Sequence, residues 1–281
     1  MGKARTFLRY PGGRAKALTL SYDDGVYQDK RMIEILDKYG IKCTFNINGG
    51  CFSTEGSTSR RMTKEEAVTL YKNSPHEVST HAYTHPWLEA LPTAQAAVEM
   101  LDDRRELEKT FGGVIRGMAY PFGTYSDDVI NVLKVAGIAY ARTVKSVDNF
   151  KLPTDWYQWN PTCHHKDKRL MELAETFVNK TYINHPRLFY LWGHTYEFDD
   201  DNNWNVIEEF CQAAANKDDI WYATNIEIYD YVTAYNRLLW AVDMTAVHNP
   251  SAIPVWVAVS TPDGVDEARI VEIKPGETVT L

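Results

Sequence analysis

Leu18-Thr-Leu-Ser-Tyr-Asp-Asp-Gly25 decides how this 281-residue chain is read. The apolar run from Ala17 to Tyr22 suits a buried strand, and Gly25 permits the sharp turn that must follow. Asp23 and Asp24 then fall at the strand's carboxyl end, where α/β folds place their chemistry. Neighbouring carboxylates repel unless a cation or a proton separates their roles. One can hold a metal while the other takes a proton. An Asp-Asp-Gly turn alone would carry little weight; it gains weight from matching pieces downstream.

Outward from that stretch, helix and strand signals alternate. Met32, Ile33, Ile35 and Leu36 follow helical spacing, and Gly40 ends the helix. Cys43 to Ile47 reads as a strand, and Thr63 with Glu66 makes a capping box that opens a second helix. His76 to Thr80 is a short strand delivering His81-Ala-Tyr-Thr-His85-Pro86. A helix from about Thr93 to Thr110 is expected to bury Ala97, Val98, Leu101 and Leu107. Ser126 caps the next helix. Ile138 to Val144 reads as a strand, and the irregular, aromatic stretch from Lys145 to His165 as a long functional loop. Helix signals return from Asp167 to about Tyr182, followed by a strand at Leu188 to His194. A helix from about Asn203 to Ala215, a strand at Ile220 to Ala223 and a helix to about Trp240 complete the alternation. It predicts a parallel α/β barrel over residues 1–240, with 241–281 as a small β appendage.

Composition bounds the function. A net charge of −8 argues against nucleic acid or an anionic membrane as partner. No basic-then-apolar leader precedes the first strand and no apolar stretch is long enough to span a bilayer, so a cytoplasmic location is expected. The four cysteines, Cys43, Cys51, Cys163 and Cys211, form no Cys-x-x-Cys pair and read as reduced structural thiols. Oligomeric state is not legible. The 8 Trp and 17 Tyr are plentiful, a composition that serves sugar clefts as well as cores.

His81 and His85 form a His-x-x-x-His pair, and Pro86 disfavours α geometry at His85, which places the pair on a tight loop. Two neutral imidazoles and one carboxylate, here Asp24, make a standard set for a catalytic zinc-like ion. His194 closes another strand, where an imidazole can serve as a general acid near neutral pH. Gly193 before it allows a close backbone approach. Tyr120-Pro-Phe-Gly123 is a proline turn at a strand end.

These stretches together resemble the NodB-homology polysaccharide deacetylases, the fourth carbohydrate-esterase family. The resemblance rests on Ser21-Tyr-Asp-Asp-Gly25, His81-x-x-x-His85-Pro86, Ala119-Tyr-Pro-Phe-Gly123 and Leu191-Trp-Gly-His194, in that order, and covers about Ala17 to Trp240. It implies a distorted (β/α)7 barrel, completed here by a short C-terminal β-strand extension. It also implies a metal-dependent hydrolase that removes acetyl groups from N-acetylated amino sugars or oligosaccharides, with metal-held water as nucleophile. Asp23 would be the base, His194 the acid, and Asp24, His81 and His85 the ligands of one divalent ion. Zinc is the first choice, with cobalt, nickel or manganese as alternatives. The Tyr120, Pro121 and Phe122 turn would hold the oxyanion.

Three departures from the family pattern stand out. Its motif arginine falls on Ala119, and Arg142 could supply that charge from the next strand. Asp155 and Trp156 match its Asp-Trp pair but lie in the aromatic stretch. Trp192 stands where a smaller apolar residue would wall the acetate pocket. The alternatives are an O-acetyl sugar esterase or non-sugar amidase of the same fold, or a sugar-binding protein that has lost catalysis.

Overall fold

The computed structural model describes residues 5–182, 185–261 and 264–281. In chain order the strands are β1 (Arg5–Arg9), β2 (Lys16–Asp23), β3 (Cys43–Ile47), β4 (Glu77–Thr80), β5 (Gly117–Ala119), β6 (Tyr140–Arg142) and β7 (Cys163–His164). They continue with β8 (Arg187–His194), β9 (Ile220–Tyr222), β10 (Leu239–Trp240), β11 (Ala246–His248), β12 (Val255–Thr261), β13 (Gly264–Ile273) and β14 (Thr278–Thr280). The helices are α1 (Asp29–Tyr39), α2 (Lys64–Tyr71), α3 (Thr93–Phe111), α4 (Asp127–Val135), α5 (Leu170–Asn179), α6 (Tyr196–Asp200), α7 (Asn205–Ala214) and α8 (Asn225–Asn236). None is long and apolar enough to cross a membrane.

Strands β2 to β9 form one parallel sheet in the order β6-β5-β4-β3-β2-β8-β7, with β9 also on β2. This is the distorted (β/α)7 barrel with a C-terminal β extension. Every residue of β2 is buried, and its side chains divide by the period of two that a strand imposes. Leu18, Leu20 and Tyr22 join the apolar cluster of Met32 and Leu36 of α1 and Ile207 and Phe210 of α7. Each such fully buried side chain is worth about 1.5–3 kcal/mol. Thr19, Ser21 and Asp23 take the other face, a polar row ending at the site. Thr19 donates to Asn225 and Ser21 accepts from Asn46.

Local signals explain the helix ends. Gly40 closes α1 at φ 64°, Thr63 and Glu66 form both halves of the capping box on α2, and Ser126 accepts from the Val129 N–H on α4. Helix α3 departs from its expected phase. Its buried stripe is Ala96, Met100, Asp103 and Leu107, while Val98 and Leu101 are exposed. The cause is Asp103, a carboxylate inside the buried stripe, which accepts from the backbone N–H groups of Gly49 and His81.

The stretch read as a functional loop, Lys145 to His165, is mostly a structural seam. Trp159 donates its N–H to Ala141 and accepts from Thr143, and Thr162 donates to Tyr190, which ties β6 to β8. The Trp159 ring is buried against Tyr140 and Tyr190. Beyond the barrel, β12 pairs antiparallel with both β13 and β1, so the first described strand belongs to the C-terminal sheet. The four cysteines are free.

Candidate active site

Strand register assembles the centre. In the parallel sheet Asp23 is level with Asn46 of β3 on one side and His194 of β8 on the other. Asp23 is almost fully buried, and its carboxylate accepts from Asn46 Nδ2 at 2.7 Å and from Arg142 Nη2 at 2.5 Å. Burial alone would raise its pKa. The Arg142 guanidinium, helped by His81 and His194, outweighs burial and holds it down to about 2. Arg142 is itself buried, with its guanidinium 4.4 Å from the Trp192 ring centroid.

Asp24 turns outward from the strand end at φ 89°. Its Oδ1 lies 3.9 Å from the Nε2 atoms of both His81 and His85. These three residues can bring ligand atoms within 4.8 Å of one another, a group that could hold a metal ion. His81 Nδ1 lies 2.7 Å from the Ala119 carbonyl, which can only accept. The proton therefore sits on Nδ1, and the Nε2 lone pair faces Asp24. Burial pushes both histidines down, His85 to about 4 with help from His81, so both rings are neutral near neutral pH, as ligands must be. Arg61 Nη2 donates to Asp24 Oδ1 at 2.8 Å, and Asn48 Nδ2 donates to the Ala82 carbonyl at 2.7 Å.

On the far side of Asp23, His194 Nε2 lies 3.9 Å from Asp23 Oδ2. Its Nδ1 is 3.2 Å from Glu197 Oε2. Burial opposes charge on this ring, but the Glu197 bond and the charge of Asp23 prevail and raise its pKa. An ionised carboxylate and an imidazole biased towards its protonated form thus face each other.

Backbone strain concentrates here. Asp24, Ala82, His85 and Phe122 all adopt left-handed φ, at 89°, 60°, 61° and 58°. Such conformations persist where surrounding structure over-determines them. Of the proline turn, Tyr120 is a core residue whose hydroxyl donates to the Tyr157 carbonyl, and Pro121 has no N–H. Phe122 alone combines an N–H with a half-exposed side chain, its ring 4.5 Å from that of His85.

Asp155 and Trp156 are not brought to the centre. Asp155 caps its own 3-10 turn by accepting from the Tyr157 N–H, and Trp156 packs edge-on against Trp159 and Tyr229. The sequence reading missed Asn46, Arg61, Asp103 and Glu197, which arrive from separate elements. It also missed His164 and His165, although an adjacent pair of histidines was a visible signal.

Comparison with known proteins places this geometry. The polysaccharide deacetylase family profile matches residues 11–141, a span containing Asp23, Asp24, His81, His85 and Phe122. A chitooligosaccharide deacetylase of Sinorhizobium fredii is 28% identical over 149 residues, 52% of this chain and 62% of that protein. The matches span less than two thirds of each curated relative, from 24% to 62%. Among solved structures, a candidate polysaccharide deacetylase from Mycobacterium smegmatis aligns with a TM-score of 0.59 at 16% identity, over 82% of this chain and 94% of that one. The chitin deacetylase of Colletotrichum lindemuthianum aligns at 0.51 and 16% identity, over 79% and 90%. At such identities the structural likeness speaks for the fold. Residues 11–141, just under half of the chain, are thus similar to the polysaccharide deacetylase family whose profile they match.

Proposed function

We propose that this protein is a metal-dependent deacetylase acting on N-acetylated amino sugars or oligosaccharides. The observation that carries the reading is Asp23, ionised by Arg142 and set between the Asp24, His81 and His85 group and His194. The residues fit a divalent ion, because His81 already directs an unprotonated Nε2 at a carboxylate. Asp24, His81 and His85 would hold that ion, zinc before cobalt, nickel or manganese, and it would supply Lewis-acid polarisation of water and of the acetyl carbonyl.

The chain's own residues do the rest. Asp23 accepts a proton from the water that attacks the acetyl carbon. The Phe122 N–H donates to the oxygen on which negative charge develops. His194 delivers a proton to the departing amine nitrogen, so water and amide become acetate and free amine. Residues 1–240 carry the reaction in this reading, and 241–281 form the appended β extension.

The test is acetate release by protein stripped with a chelator and reloaded with each of the four metals. Substrates are N-acetylated chitooligosaccharides, O-acetylated sugars and a small non-sugar acetamide. Expected is metal-restored release, greatest from the N-acetylated oligosaccharides. Preference for either other substrate redirects the assignment to the esterase or amidase reading. Carbohydrate binding without release from any of them overturns catalysis.

A further inference from the structure

A second group of metal-ligating side chains lies on the other side of Asp23. His164 ends β7, His165 follows it, and Glu197 sits in α6. They too can bring ligand atoms within 4.8 Å of one another. We propose that His164, His165 and Glu197 form a second divalent-metal site, distinct from the Asp24, His81 and His85 group and sharing no ligand with it.

His165 carries the argument. It is 2% exposed, and neither ring nitrogen makes a hydrogen bond. Buried polar groups are almost always paired, so a sealed imidazole with two unspent nitrogens calls for a ligand. The ring lies between Tyr22, at 5.7 Å and 9°, and Phe198, at 4.2 Å and 26°. Its Nε2 is directed at Glu197, 3.4 Å from Oε2, but without hydrogen-bond geometry. Room for the ring is made by Gly193 of β8. A Cβ there would meet His165 Nδ1 at 2.0 Å, so only glycine admits the imidazole.

A hydrogen-bonded network explains the neighbours but not this ring. Glu197 Oε2 lies 3.1 Å from His164 Nε2 and 3.2 Å from His194 Nδ1, and Lys166 Nζ reaches Oε1 at 3.2 Å. His164 Nδ1 accepts from the Lys166 N–H at 3.1 Å, which puts the His164 proton on Nε2. A metal entering here displaces that proton and forfeits one exposed hydrogen bond. Binding is therefore weaker than at Asp24, His81 and His85. Two imidazoles and one carboxylate select zinc, cobalt, nickel or copper over magnesium or calcium.

The site does not depend on the reaction proposed above, and metal counting without substrate tests it. The stripped full-length chain is titrated with cobalt or zinc alone by equilibrium dialysis, and the visible spectrum of the cobalt form is followed. Expected is a metal equivalent that survives in His81→Ala/His85→Ala and weakens by more than about tenfold in both His164→Gln and Glu197→Gln. His164 is partly exposed, which makes its variant the safer one for folding. The proposal is overturned if no equivalent survives in the His81/His85 double variant, or if that equivalent persists unchanged in His164→Gln and Glu197→Gln.

Discussion

Two groups of imidazoles and one carboxylate flank Asp23, and the same residue types rest in opposite states. At the first, the His81 Nδ1 proton goes to the Ala119 carbonyl and the Nε2 lone pair is directed at Asp24. At the second, His164 Nδ1 accepts the Lys166 N–H, so Nε2 presents a proton to Glu197. One backbone group decides each tautomer, a carbonyl in one case and an N–H in the other. Residue type nominates a ligand, and the backbone around it sets whether the site is open or self-satisfied at rest.

Asp23 is the boundary between the two, with its Oδ2 3.9 Å from His81 Nε2 and 3.9 Å from His194 Nε2. The largest effect should therefore come from Asp23→Asn. It removes the proposed base while leaving both proposed ligand groups intact, so turnover should fall about 10²- to 10⁴-fold with metal content unchanged. Steady-state kinetics beside elemental analysis makes the check. Wild-type kcat in that variant would take Asp23 out of the chemistry and leave the comparison without its centre.

Arg142→Met weakens the same boundary without removing it. Asp23 has a folded pKa lowered to about 2, so the pair stabilises the protein above the unfolded carboxylate range. That contribution, on the order of 2 kcal/mol, is lost as pH falls from about 4 towards 2. Without the guanidinium, burial would raise the Asp23 pKa, and the acidic limb of the pH–rate profile should move to higher pH. Stability at neutral pH should drop by about 3–5 kcal/mol, because a buried carboxylate loses its countercharge. Denaturant unfolding and a pH–rate profile read both effects. An unmoved acidic limb in a folded variant would show that Arg142 braces the barrel and not the base.

The same contrast explains what the sequence made legible. Asp23, Asp24, His81, His85 and His194 stood out because each lies at or just past the end of a strand, within a motif of a few consecutive residues. Capping residues were legible for a similar reason, since Thr63 and Glu66 satisfy each other three residues apart. Groups assembled across the fold left no local trace. Arg61 and Glu197 come from a loop and a five-residue helix. Asp103 shifted the phase of α3, leaving Leu107 buried as expected but Val98 and Leu101 exposed, because a carboxylate serving the His81 N–H occupies the stripe where apolar periodicity was sought. Strand β7 has only two residues, and the seam before it joins its neighbours through single hydrogen bonds, so no period could form. The local hints of the second group were the adjacent His164 and His165 and Gly193, a glycine whose missing Cβ makes room for His165.

The two sides also differ at their rims, and the smallest expected effect follows from this. Beside the second group, Trp192 is buried under Arg142 and offers no free face. Beside the first, Trp87 and Phe122 are 54% and 45% exposed and stack at 3.9 Å and 12°, with Phe122 against His85. An exposed aromatic pair next to the proposed metal ligands suits the apolar face of a sugar ring beyond the acetylated one, so an oligosaccharide should extend across this side. Aromatic contacts of this kind are worth about 0.5–1.5 kcal/mol, or roughly 2- to 10-fold in affinity. Trp87→Ala should raise KM for an N-acetylated oligosaccharide by that factor, with a smaller change in kcat. A small acetylated substrate, too short to reach the stack, should keep its KM. Equal losses for both substrates would mean that Trp87 supports the His85 loop, and no loss for either would place the oligosaccharide along another edge of the site.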